Sequence, residues 1–255
     1  MRDLLTCALG GVSFLGLDEK LYLEEIEEAP NIVVETGKRP YYGQILLNTP
    51  GVDTLTVTLT FMVKKCDRQE RQDVIDKVSG WATEGYLTVG HRPGKRLYVV
   101  CTQRPKTKAF SRTERMTIIF TAYAESCWEE VTPTTLTLTG TSASTSTFKP
   151  NGTRPCFLEA EITNAGSAAL TSLTLTANGK SIALSGISVA VGSKVTIAYD
   201  ERHLLSIKSG STSLLAYRTA ASQDDLLLNP GVNNSVSIVT NVTCSTVLKA
   251  RGMWR

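Results

Sequence analysis

Thr54-Leu55-Thr56-Val57-Thr58-Leu59-Thr60-Phe61-Met62-Val63 alternates apolar and mostly hydroxyl side chains over ten residues. Successive side chains on a strand point to opposite faces, so Leu55, Val57, Leu59, Phe61 and Val63 share one face and the threonines share the other. The period then changes. Asp67-Arg68-Gln69-Glu70 places an acid at an N-cap and a glutamate three residues on, the pattern of a capping box. Val74, Ile75, Val78, Trp81 and Ala82 follow at helical spacing on a segment otherwise charged. This predicts a helix over Asp67–Ala82, with Val74, Val78 and Trp81 packed on the sheet. Tyr86-Leu87-Thr88-Val89, a turn at His91-Arg92-Pro93-Gly94, a strand over Leu97–Thr102 and another over Met116–Tyr123 complete a strand-rich unit with one inserted helix.

That order of elements resembles the N-terminal domain of the distal tail proteins of long, non-contractile-tailed bacteriophages. The resemblance lies in the alternating strand ending at Phe61-Met62-Val63 and in the charged helix leading to Trp81. It continues through His91-Arg92-Pro93-Gly94-Lys95-Arg96 and Ile118-Ile119-Phe120-Thr121-Ala122 ahead of Trp128. It implies a mainly β chain with one main helix: a tail-tube-like barrel or sandwich, then a galectin-like β-sandwich. It further implies a hexameric ring at the tip of the tail tube, assembled in the host cytoplasm and carried on the virion tail. The implied partners are the tail tube protein, the tail hub and the tape measure protein, with DNA only in transit.

Composition divides the chain near residue 130. Residues 1–130 carry 18 Asp+Glu and 17 Lys+Arg, whereas residues 131–255 carry 6 and 10 and are rich in Thr, Ser, Ala, Leu and Val. Two domains are expected, 1–129 and 130–241. Residues 242–255 are expected to return to the first domain, as the resemblance implies. The Ser/Thr-rich stretch Val131–Asn151 reads as a boundary, either a disordered linker or, because Leu136 and Leu138 alternate with threonines, in part a strand. Beyond it, Cys156–Thr163, Leu173–Ala177, Val195–Tyr199, Leu205–Lys208, Ser213–Arg218 and Ser235–Thr240 read as short strands. Asn178-Gly179 and Pro230-Gly231 mark turns between them, as in a β-sandwich.

Catalytic and metal chemistry find little support. The six cysteines show no C-x-x-C spacing and no paired histidine. His91 and His203 accompany no serine or cysteine nucleophile motif. Gly10-Gly11 lacks the Gly-Lys-Ser/Thr of a phosphate loop. No run approaches the roughly 20 apolar residues of a spanning helix. Leu4–Leu17 is broken by glycines and followed by acids, so it reads as a strand and turn rather than a signal peptide. No cofactor is expected, and the chain is not read as an enzyme.

Charge is instead segregated locally. Asp18–Glu28 is acidic, with Leu21, Leu23 and Ile26 interleaved as in a strand. His91–Arg115 holds eight cations against the single acid Glu114. Nucleic-acid binding is one reading of the second segment, but residues 1–130 sum to −1, so no basic domain exists. The preferred reading pairs the two segments across subunits, with Glu24, Glu25 and Glu27 on one side and Arg104, Lys106 and Lys108 on the other. Two alternatives stand beside the distal ring: a tail tube subunit with an appended sandwich, and a secreted carbohydrate-binding sandwich, for which Phe148, Phe157, Tyr199, Tyr217 and Trp254 are a thin supply of aromatics.

Overall fold

A computed structural model describes residues 5–33, 36–39, 43–46, 51–64, 66–106, 115–123 and 127–255. The chain forms two compact units that divide between Trp128 and Glu129. It is mainly β, as expected, with one α-helix among the described residues.

In the first unit, β1 (Cys7–Leu9) and β2 (Val12–Ser13) form a hairpin, followed by β3 (Leu21–Val33), the small hairpin β4 (Thr36–Arg39) and β5 (Gly43–Leu46), and β6 (Gly51–Val63). Helix α1 (Arg68–Trp81) comes next, then β7 (Glu84–Val89), β8 (Lys95–Gln103) and β9 (Met116–Ala122). The sheet runs β2-β1-β7-β8-β9-β6-β3, antiparallel throughout.

Both local signals in the deciding stretch hold. Leu55, Val57, Leu59, Phe61 and Val63 are all buried. The Asp67 carboxylate accepts from Glu70 N at 2.8 Å while the Glu70 carboxylate accepts from Asp67 N at 3.3 Å. The helix therefore starts one residue after the cap, and it ends at Trp81 with Ala82 as C-cap. Val74, Ile75, Val78 and Trp81 are its buried residues. Trp81 is held at both ends. Its ring lies edge-on to Phe14 and Phe120 at 5.3 and 5.9 Å, and its indole N–H donates to the Val12 carbonyl at 2.9 Å. Phe14 in turn meets Phe61 at 5.3 Å. Four aromatic rings from the hairpin, β6, α1 and β9 thus form one cluster, which ties the helix to the sheet.

The second unit begins within β10 (Trp128–Glu130) and continues with β11 (Thr134–Phe148), β12 (Cys156–Asn164), β13 (Leu170–Ala177), β14 (Lys180–Val189), β15 (Lys194–Tyr199), β16 (Leu205–Ser209) and β17 (Thr212–Ser213). A 3-10 turn (Leu215–Tyr217), β18 (Leu227–Leu228), β19 (Asn234–Ala250) and β20 (Met253–Trp254) follow. The Ser/Thr-rich stretch is no linker. It is a 15-residue strand paired with β19 along nearly its whole length. Strand β19 is the spine: its first half pairs with β13 and its second half with β12. One arm of the sheet is β14-β13, the other β12-β15-β16-β17, and together they enclose a core that includes Leu158, Ile162, Leu173, Leu175 and Ile197.

Residues 242–250 belong to this central strand. The last strand, β20, pairs with β10. Gly252 O accepts from Glu130 N, and Met253 O accepts from Thr153 N and Arg154 N. Gly152 permits this approach: its φ is +119°, and a Cβ there would lie 2.6 Å from Met253 O.

Two buried asparagines close the sandwich loops. Asn164 donates to Ala168 O and Val189 O and accepts from Gly166 N. Asn234 donates to Phe148 O, Asn229 O and Val232 O. Neither side chain leaves its amide unsatisfied in the core. Cys7, Cys127, Cys156 and Cys244 are buried thiols, and burial pushes Cys7 and Cys156 up to about 12, so they act as small apolar packing groups. Among the described residues no helix is long and apolar enough to cross a membrane.

Trp81→Ala is expected to cost about 3–5 kcal/mol in urea unfolding. Gln72→Ala on the exposed face of α1 is expected to stay within about 0.5 kcal/mol of wild type. A loss below about 1 kcal/mol for Trp81→Ala would contradict the anchoring role given to the cluster.

Candidate assembly surface of the first unit

Strand β3 borders the sheet, paired with β6 on one side and with no strand on the other among the described residues. Its register with β6 shifts between Leu23 and Glu25. Before the shift Leu21 and Leu23 lie opposite Val63 and Phe61; after it Ile26, Glu28 and Pro30 lie opposite Leu59, Val57 and Leu55. One extra residue, Glu24, keeps the core-facing row in phase with β6 but brings Glu28 onto that row.

A carboxylate in that position needs partners, and it has three. Arg92 approaches Glu28 in a bidentate grip, Nε to Oε1 at 2.9 Å and Nη2 to Oε2 at 2.7 Å. His91 Nε2 lies 2.5 Å from Oε1, and the Trp128 indole N–H donates to Oε2 at 3.1 Å. The Arg92 guanidinium also sits 5.4 Å from the centre of the Trp128 ring. Burial raises the Glu28 pKa, but the hydrogen bonds from Arg92 and His91 outweigh it, and the carboxyl is held below its usual range. The turn at His91-Arg92-Pro93-Gly94 is thereby fastened to the border strand.

Other acid–base meetings also occur inside the chain. Asp18 pairs with Lys77 at 2.9 Å and Lys20 with Glu70 at 3.1 Å. Arg115 Nε lies 2.8 Å from Glu24 Oε2, close enough for an ion pair, though its N–H is not aimed at that oxygen. Glu24 with Arg115, and Glu28 with His91 and Arg92, thus meet within one chain. Arg96 is taken up by the Tyr86 ring, 3.8 Å from its centroid. Glu25 and Glu27 remain exposed on the opposite face of β3, and Arg104 and Lys106 are exposed just past the end of β8. Lys108 lies outside the described residues. Sequence reasoning missed Glu28 as the acid that matters. The signal was available as its strand parity, but only after the extra residue is counted.

The face of the sheet away from the helix has its own chemistry. Glu25, Glu27 and Asn31 of β3 lie opposite Thr60, Thr58 and Thr54 of β6. Thr56 and Thr58 in turn lie opposite Thr121 and Ile119 of β9. Asn31 donates to Thr54 Oγ1 at 2.6 Å, and the Thr102 and Thr121 hydroxyls lie 3.0 Å apart. Strands β3, β6 and β9 contain no lysine or arginine. The result is a broad hydroxyl face edged by carboxylates. Among the described residues no cluster of histidine, cysteine and acids has a metal-binding arrangement.

No protein-family model and no curated protein matches the sequence. The solved structures do. The SPP1 Dit protein, described as a paradigm of the hub adsorption apparatus in phages infecting Gram-positive hosts, superposes with a TM-score of 0.66 at 13% identity. That match covers 96% of this chain and 97% of the other. The chain has the fold of a phage distal tail protein. A component of the phage p2 baseplate in its activated conformation matches with a TM-score of 0.51 at 9% identity, covering 91% and 90% of the two chains. The distal tail fold is thus present from end to end, with both units included.

Because Glu28 titrates below the usual carboxylate range in the folded chain, its contribution is present above that range. It is lost as pH falls through the lowered value. Glu28→Gln and Arg92→Ala are each expected to cost on the order of 2 kcal/mol in urea unfolding at pH 7. The gap between wild type and Glu28→Gln should close as pH falls toward the acid limit. A gap independent of pH would show that Glu28 acts through packing alone.

Proposed function

We propose that this protein is a structural subunit of a phage tail tip, a distal tail ring joining the tail tube to the hub and receptor-binding apparatus. The observation that carries the reading is that the match with the SPP1 protein covers 96% of this chain and 97% of that one. The inclusion of the second unit favours the distal ring over a tube subunit with an unrelated appended domain. The thin aromatic supply of the second unit gives a sugar-binding role no particular support.

Assembly is the mechanism. The long open border of β3 offers main-chain donors and acceptors to a neighbouring subunit. A heterologous contact of this kind closes into a ring when its rotation closes. Exposed Glu25 and Glu27 on one side, with Arg104, Lys106 and Lys108 on the other, set register and partner choice. The hydroxyl and carboxylate face lines the channel. Strands β3, β6 and β9 bring no lysine or arginine to it, so DNA meets few cations there and crosses without being held. Six copies form the ring; the tail tube protein, the hub and the tape measure protein are its partners, and no cofactor or catalysis is involved.

Light scattering on the purified chain, of 27.7 kDa, is expected to give a closed particle of six copies. Reversing Arg104, Lys106 and Lys108 to Glu should reduce ring formation or hub docking while leaving the melting temperature of the chain unchanged. If rings form normally and duplex DNA affinity collapses instead, with a steep salt dependence in wild type, the nucleic-acid reading replaces this one.

A further inference from the structure

Strand β11 follows one side of β19, and among the described residues its other side carries no strand. Border strands in soluble proteins are ordinarily blocked by lysine, proline or inward charges. The fifteen residues of β11 contain no charged residue and no proline. Leu136 lies opposite Leu248, which is fully buried, yet Leu136 and Leu138 are themselves only half-buried. The apolar row of this layer therefore runs out at an uncovered border.

The residues at that border read the same in both directions: Thr135-Leu136-Thr137-Leu138-Thr139. An antiparallel twofold axis through Thr137 sets Leu136 against Leu138 of a second copy, and Thr135 against its Thr139. Both kinds of pair are favourable across strands, and no like charges meet. We infer that the free side of β11 is a homotypic docking edge, at which a second copy of this chain adds its own β11 about a twofold axis. The contact is isologous, and so distinct from the head-to-tail contact of a ring. It is small beside the roughly 800 Å² per partner of a standard interface, so it is weak for single chains and gains strength when several copies are already joined.

Two variants of the full chain test it. Directly opposed residues in an antiparallel pair lie about 4.5–5.5 Å apart at Cα, within disulfide range. Under mild oxidation Thr137→Cys should form an intermolecular disulfide at 137, identified by peptide mass, at least tenfold faster than Thr145→Cys, an exposed site on the same strand outside the palindrome. Thr137→Lys sets two ammonium groups face to face and should halve the largest mass seen by sedimentation at high concentration. A Thr137→Cys rate no greater than that of Thr145→Cys, or an unchanged mass for Thr137→Lys, overturns the proposal. A single chain that halves from dimer to monomer would still support it even if no ring formed.

Discussion

One extra residue in β3 is the constraint on which the first unit turns. Without the shift at Glu24, the side chains after Leu23 would change faces: Ile26 would leave the core and Glu25 and Glu27 would enter it. With it, Glu28 enters instead, where a bidentate arginine, a histidine and an indole hold it. The same shift leaves Glu25 and Glu27 on the helix-free face, where they border the threonines of β6. The folded core and the chemistry of the opposite face are therefore set together. Removing one partner of such a half-buried pair is costly because the other is left without its countercharge.

The second unit solves a different problem. It has few charges, so its loops are tied by amides instead. Asn164 and Asn234 each use a side chain to satisfy main-chain groups at strand ends, and the long strand β19 couples both arms of the sheet through one continuous backbone. The Glu161 carboxylate adds one ion-pair bridge across three strands, to Lys194 at 3.0 Å and Lys249 at 2.6 Å.

Much of this was legible in the residues. The alternation of β6, the capping box at Asp67 and the apolar stripe ending at Trp81 are local signals, and each names its own partner face. The hairpin at Asn178-Gly179 was legible for the same reason, and the order of elements pointed to the distal tail fold. What could not be read depends on pairing between distant segments. Glu28 and Arg92 are 64 positions apart, so their contact shows only when β3 and the β7–β8 turn are brought together. The Ser/Thr stretch at 134–148 has the composition of a linker, and only β19 alongside it makes it a strand. The same pairing kept residues 242–250 in the sandwich. Composition reports what a segment can afford to leave in water; it does not report which neighbour arrives.

The functional account joins these features: an open border at β3, a threonine-rich face beside it whose strands β3, β6 and β9 carry no lysine or arginine, and the distal tail fold over the whole chain. Its central claim is that this face looks into a channel. Electron microscopy of the purified full chain at a resolution that traces strands tests it most directly. The account predicts a closed ring of six copies with Thr54, Thr56, Thr58, Glu25 and Glu27 turned toward the axis. A ring in which that face is turned outward or buried against a neighbour, or an open filament, would contradict it.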